Sequence, residues 1–255
     1  MLENISGSFT SFEKNIHSQN QVNPFVNYLN SLQRSGGSNE NALAESQACN
    51  SQFALIQVIH PLADVIEKEL MDTDGRHVIL TGHAGDGKTT LALEIYKRFC
   101  SLPSNAPLAS PLQVREDIGV ISIIKDLSER DKQNDKSLVD ELMGNKRRFL
   151  LVSNTGTLID LIKHYPEQFH EGSVNLESQV LDAISTNNGE GLLSVGAQVF
   201  RVFNLARMDN LGLARKICEK MLAPQRWAPC EGCMVNTTCP IHHNVSLMQR
   251  NQTRV

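Results

Sequence analysis

From residue 61 onward, two hydrophobic patterns alternate along this chain. Short runs in which nearly every residue is apolar are followed by stretches whose apolar residues return every three or four positions. The first pattern predicts buried strands, the second amphipathic helices. PLADVIEKEL (61–70) sets Leu62, Val65, Ile66 and Leu70 on one helical face. HVILTG (77–82) reads as a buried strand ending in glycine, and TTLALEIYKRFC (89–100), with Leu91, Ile95 and Phe99 four apart, as a helix. SLPSNAPLASP (101–111) is a proline-broken loop. IGVISIIKD (118–126) predicts a second strand, and SLVDELM (137–143) a short helix whose Ser137 and Asp140 match a capping pattern. RFLLVSN (148–154) predicts a third strand, TLIDLIKHY (157–165) and LESQVLDAI (176–184) helices, AQVFRVFNLA (197–206) a fourth strand and NLGLARKICEKML (210–222) a further helix. Strands alternating with helices imply an α/β fold of three layers, a mainly parallel sheet covered on both faces.

The pattern is weaker at the ends. Residues 1–50 are rich in Asn, Ser, Gln and Gly; FVNYLNSLQ (25–33) predicts one short helix and RSGGSNENA (34–42) a flexible linker. The expected organisation is a polar N-terminal arm and linker (1–50), a core (51–223) and a Cys/His segment with the start of a C-terminal helix (224–255). The sequence contains no internal repeat.

Composition narrows the class. With 255 residues, 40% of them hydrophobic, the chain can bury a sizeable core. Its longest apolar runs are too short to cross a bilayer, and MLENISGSF lacks the basic and apolar regions of a signal peptide. The expectation is a cytoplasmic protein with no membrane partner. The formal charge is −4, but residues 196–255 carry eight basic and three acidic side chains, so the last quarter is locally positive. A positive segment is compatible with a polyanion partner and equally with a solvated face.

GHAGDGKT (82–89) matches G-x-x-x-x-G-K-[ST] in full, between a predicted strand and a predicted helix. Gly85 and Gly87 permit backbone angles and a close approach that side chains would obstruct. Peptide N–H groups can then converge on an anion at the positive end of the following helix. The candidate nucleotide-binding stretch is Gly82, His83, Ala84, Gly85, Asp86, Gly87, Lys88, Thr89 and Thr90. Lys88 would reach the β- and γ-phosphates and Thr89 would offer its hydroxyl to Mg²⁺. Asp126, at the end of VISIIKD, is the candidate second metal acid, at the sheet edge where open α/β sheets bind ligands; it reads equally as a strand-end cap. Glu129, one turn later, could orient the attacking water. Asn154, ending LLVSN, either contacts the γ-phosphate or simply starts a turn before Gly156. Asn145-Lys146-Arg147-Arg148 lacks the acid of a guanine-reading N-K-x-D, which favours ATP. Arg207, just past the last strand, reads as a finger toward a neighbour's phosphate or as a surface charge.

Three of the six cysteines are bunched in CEGCMVNTTCPIHH (230–243). Cys230, Cys233, Cys239 and His242 form a Cys₃His set suited to tetrahedral Zn²⁺, with His243 as an alternative fourth ligand. Such a site would staple a segment with little apolar sequence of its own. Arg215, Lys216, Lys220 and Arg226 leave nucleic-acid contact open as a second use.

GHAGDGKT, KDLSE, FLLVSNTGTL, FRVFNLARMDN and the trailing W-x2-C-x2-C-x5-CPI-x2-N together resemble the DptF-type ATPase subunit of phosphorothioation-dependent DNA restriction, over roughly residues 60 to 245. The resemblance implies a P-loop ATPase of AAA+/STAND type that works with partner subunits, one a helicase-like motor, against DNA lacking the phosphorothioate mark in antiviral defence. DNA would be met through the complex, and self-association is left open. On this resemblance Gly85, Gly87, Lys88 and Thr89 are nucleotide-binding residues, and Asp126 and Asn154 join them as the metal acid and a "sensor 1" asparagine. One departure from an AAA+ protein is plain: 33 residues follow the 210–222 helix, too few for a helical lid, so the expectation is the front piece of a longer protein or a lidless one. Two other functions fit the sequence: a STAND-like nucleotide-operated assembly switch with little turnover, and a zinc-dependent nucleic-acid module on an idle P-loop core. The slightly acidic total charge counts against the last.

Overall fold

A computed structural model describes residues 22–32, 47–144, 146–163 and 176–252. They fall into two compact units, one within 44–212 and one formed by 22–32 with 213–252 from the two ends of the chain. The predicted linker at 34–42 and the end of the predicted 157–165 helix lie outside the described residues.

In chain order the helices are α1 (Pro24–Ser31), α2 (Ser51–Ile56), α3 (Leu62–Met71), α4 (Lys88–Phe99), α5 (Asp135–Met143), α6 (Thr155–Ile162), α7 (Leu176–Ile184), α8 (Leu211–Met221), α9 (Pro224–Trp227) and α10 (Pro240–Gln252). The strands are β1 (His77–Thr81), β2 (Arg115–Ile118), β3 (Ile121–Ile124), β4 (Arg148–Val152), β5 (Glu190–Val195) and β6 (Gln198–Asn204).

The 44–212 unit is built on one six-stranded sheet in the order β2-β3-β4-β1-β6-β5. The inner four strands are parallel, with Ile79 of β1 level with Leu151 of β4 and with Val202 of β6. Side chains alternate across the pleat, so each inner strand feeds two cores. Val78, Leu80, Ile121, Ile123, Leu150, Val152 and Phe203 pack with α3 and α4 on one face. Ile79, Leu151, Phe149, Phe200 and Val202 pack with α5, α6 and α7 on the other. The near-continuous apolar runs of these strands follow from burial on both sides. This is the α/β, mostly parallel arrangement expected from the sequence.

The sheet also holds two strands that the hydrophobic pattern did not separate. IGVISIIKD is not one strand. Gly119, at φ +57°, turns the chain back, so β2 lies antiparallel to β3 with Ile118 opposite Ile121. At the opposite edge β5 precedes β6, with Val195 opposite Gln198 and Gly196 at φ +57° between them. Each edge strand is thus joined to an inner one by a two-residue turn led by glycine, where positive φ matches hairpin twist. The Ser137 capping pattern is not used: α5 begins two residues earlier, at Asp135, behind a short 3₁₀ turn at Lys132–Asn134.

In the unit formed by the chain ends, α1 packs on the segment that carries the cysteines. Asn23 caps α1 by accepting the Phe25 N–H (2.8 Å), and its Nδ2 donates to Arg226 O (2.7 Å) and Cys230 Sγ (3.2 Å). The Phe25 ring meets Trp227 edge-on at 5.7 Å. Trp227 Nε1 donates to Met221 O (2.9 Å), and Gln249 Nε2 of α10 donates to Leu222 O (2.7 Å).

Candidate functional site

The four inner strands run parallel, so their C-terminal ends share one edge of the sheet. That edge collects the polar residues that interrupt the apolar runs. The Gly82–Gly87 loop leaves β1, Asp126 lies two residues past β3, Asn154 two past β4, and Asn204 ends β6. Because β4 is hydrogen-bonded between β1 and β3, Asn154 leaves the sheet between the loop and Asp126. The Ser153 N–H donates to Leu80 O (3.0 Å), which ties the exit of β4 to β1 two residues before the loop.

The loop itself depends on its glycines. Gly82, Gly85 and Gly87 have φ of +142°, +88° and +89°. A Cβ on Gly85 or Gly87 would meet nothing within 4 Å, so these two are required by backbone angle and face open space. At Gly82 the angle disfavours a side chain, and a Cβ would also crowd the Asp86 side-chain tip (Oδ2, 2.6 Å) and Ala206 N (3.2 Å). Lys88 Nζ reaches back across the turn to Gly82 O (3.1 Å) and His83 O (2.7 Å), closing the loop into a ring. Gly87 starts α4 in the left-handed conformation with no side-chain cap. The Leu91 N–H donates to Gly87 O (2.9 Å); the N–H groups of Lys88, Thr89 and Thr90 belong to the first turn, which has no acceptor one turn back. The Lys97 and Arg98 charges stand in the last turn of α4, matched to its dipole. Open glycine peptides, first-turn amides and a lysine at the start of a twelve-residue helix fit the phosphates of a nucleotide. Thr89 and Thr90 are half-buried in that first turn; His83 and Ala84 are exposed.

The remaining candidates are placed but partly engaged. Asp126 Oδ1 accepts from both the N–H (2.8 Å) and the hydroxyl (2.7 Å) of Ser128, so its carboxylate caps the 3₁₀ turn Leu127–Glu129. Glu129, 49% exposed, pairs with Lys125 at 3.3 Å. Asn154 Oδ1 caps α6 by accepting the Thr157 N–H (2.8 Å). That bond uses only the carbonyl oxygen, and the side chain is exposed. Arg207 is exposed at the end of the 3₁₀ turn Leu205–Arg207, beside the Ala206 N that abuts Gly82.

Sequence reasoning passed over Asn204. It is buried, opposite Thr81 in register, and holds the post-β6 turn by accepting the Ala206 N–H (3.2 Å) and donating to Ile184 O (3.0 Å). The signal was available, since VFRVFN ends an apolar run in asparagine just as LLVSN does.

The residues expected to bind zinc lie in the unit formed by the chain ends. Cys230, Cys233 and Cys239 are half-buried, yet no three His, Cys, Asp or Glu side chains among the described residues stand together so as to hold a metal ion. The Cys230 thiol accepts a hydrogen bond from Asn23, and Phe25 meets Trp227 beside it. Among the described residues no helix is long and apolar enough to cross a membrane.

No protein-family model, curated protein or solved structure matches this chain.

Proposed function

We propose that this chain binds and hydrolyses ATP, as the ATPase subunit of a complex that restricts DNA lacking phosphorothioate modification. The observation that carries the nucleotide reading is the ring Gly82–Lys88. It is a glycine loop with three positive-φ positions, closed by its own lysine, at the carboxyl edge of a parallel sheet and the start of a helix. The restriction role rests on the resemblance of the KDLSE, FLLVSNTGTL, FRVFNLARMDN and cysteine segments. Partner subunits, including a helicase-like motor, and contact with DNA through them belong to the same proposal.

In this reading the amides of Gly85 to Thr90 hold the phosphates and the Lys88 ammonium neutralises them. Thr89 and Asp126 would hold Mg²⁺, which supplies charge neutralisation at the phosphates. Asn154, between the loop and Asp126, keeps its amide nitrogen for the terminal phosphate or a water. A specific observation favours a second reading, the nucleotide-operated switch. Glu129, the candidate for orienting water, is paired with Lys125, which suits tight binding with little turnover.

ATP binding and turnover of the wild type and Lys88→Ala, each with and without DNA, test both. Loss of binding in Lys88→Ala by a hundredfold or more, on the order of 3 kcal/mol, is expected. Hydrolysis abolished by the substitution supports the ATPase; binding with negligible turnover and nucleotide-dependent assembly supports the switch. A wild-type protein that shows no binding sinks both.

A further inference from the structure

An acid stands inside the anion-binding loop. The His83 N–H donates to Asp86 Oδ2 at 2.5 Å, and the Asp86 N–H returns a bond to His83 O at 3.3 Å. The same oxygen lies 2.6 Å from the place a Gly82 Cβ would take, so the half-buried carboxylate is folded back against Gly82 and His83. Lys88 Nζ is bonded to the carbonyls of Gly82 and His83. Both charged side chains are therefore directed onto the same two residues, and their formal charges cancel. Lys88 therefore meets an anion with its charge opposed by Asp86, beside the amides and the partial positive charge of the helix start, about half an elementary charge. A loop with so little net charge, and a fixed negative charge in its wall, pays an electrostatic penalty that grows with the charge of the incoming phosphates.

We infer that Asp86 is a specificity-determining residue of this loop: it makes the site take a nucleoside triphosphate as its magnesium complex and resist the free polyanion. The inference rests on the nucleotide reading of the loop. Bound magnesium neutralises part of the triphosphate charge, so the repulsion from Asp86 falls on the free form more than on the complex. The carboxylate also braces the His83 peptide, and an amide or hydroxyl in its place keeps an acceptor for the His83 N–H while removing the charge.

The test is calorimetric titration of ATP, in magnesium and in EDTA, into the wild-type protein, Asp86→Asn, Asp86→Ser and Lys88→Ala. In the wild type the magnesium complex is expected to bind at least about tenfold more tightly than free ATP. In both neutral Asp86 variants free ATP gains about tenfold while the complex gains less, so the ratio collapses. Lys88→Ala weakens both forms, free ATP the more, so its ratio rises where that of the Asp86 variants collapses. A wild-type ratio retained in Asp86→Asn and Asp86→Ser overturns the role of Asp86 and leaves the nucleotide site standing. Absence of binding by the wild type in both buffers overturns the site and this role together.

Discussion

Arg130 grips Asp135 with two hydrogen bonds, Nε to Oδ1 at 2.7 Å and Nη2 to Oδ2 at 2.9 Å, and the two side chains are 5% and 2% exposed. Arg130 also donates to Leu127 O (2.8 Å) and to Asp160 of α6 (3.2 Å). One guanidinium thus fixes the turn that carries Asp126 and Glu129 against the start of α5 and the flank of α6. Breaking such a pair strands a buried charge, whereas replacing both partners does not. Asp135→Ala is expected to cost about 3 kcal/mol in denaturant unfolding. The double substitution Arg130→Met with Asp135→Leu is expected to cost less; equal or greater loss in the double variant would contradict this account.

His77 predicts an acid-labile core. It is 1% exposed, at the start of β1, with Nε2 against Leu142 O (2.9 Å) and Nδ1 accepting the Phe149 N–H (3.1 Å). Nδ1 as acceptor assigns the proton of the neutral ring to Nε2. Burial pushes its pKa down to about 4; the bond to the Leu142 carbonyl partly offsets this and the charge of Arg148 reinforces it. The unfolded chain takes up this proton near pH 6.5, the folded one only near 4, so the contribution is complete above about 6.5 and is lost as pH falls toward 4. Its full size is about 3 kcal/mol. His60, shifted in the same direction mainly by burial, adds to the slope. Unfolding measured between pH 6.5 and 5, above the carboxylate range, is expected to show a clearly shallower slope in His77→Gln than in the wild type.

Gly191 tests the edge strand that the hydrophobic pattern missed. Its φ is not positive, but a Cβ there would lie 2.0 Å from the backbone oxygen of Ala183, near the end of α7. Backbone cannot swing aside as a side-chain tip can, so α7 or β5 must shift. Gly191→Ala is expected to cost about 2 kcal/mol, within the range for overpacking. An unchanged thermal midpoint would mean that α7 does not pack on β5 as described.

Phe25 and Trp227 offer a spectroscopic check on the unit formed by the chain ends. Trp227 is the chain's one tryptophan and is 7% exposed. Phe25→Ala removes the ring it meets edge-on, which opens the indole to water and costs about 3 kcal/mol locally. The expected readout is a red shift of the intrinsic fluorescence before global unfolding. An emission spectrum identical to that of the wild type would rule out the contact.

The reading of the inner strands succeeded because each is buried on both faces. Val78-Ile79-Leu80 and Phe149-Leu150-Leu151-Val152 are apolar throughout. The edge strands are covered less evenly. Asp117 and Leu192 are exposed and Arg115 is paired to Asp117 and Glu141, so β2 and β5 look like loop by composition. The glycine loop was legible because its chemistry is local, with motif, strand and helix inside twenty-odd residues. Asn154 and Asp126 were located at the right strand ends, but their hydrogen bonds to Thr157 and Ser128 depend on how each chain segment turns after the strand.

Local spacing by itself determined where this chain forms its inner strands and principal helices, and where a glycine-lysine loop follows a strand, because those properties depend on neighbours a few residues apart. Only the tertiary structure decided that β4 inserts between β1 and β3, which puts Asn154 between the loop and Asp126. It also decided that Asn23, 207 residues away, donates to the Cys230 thiol. Strand order and such long-range partners follow from which faces are buried together, and the packing of the whole chain sets that.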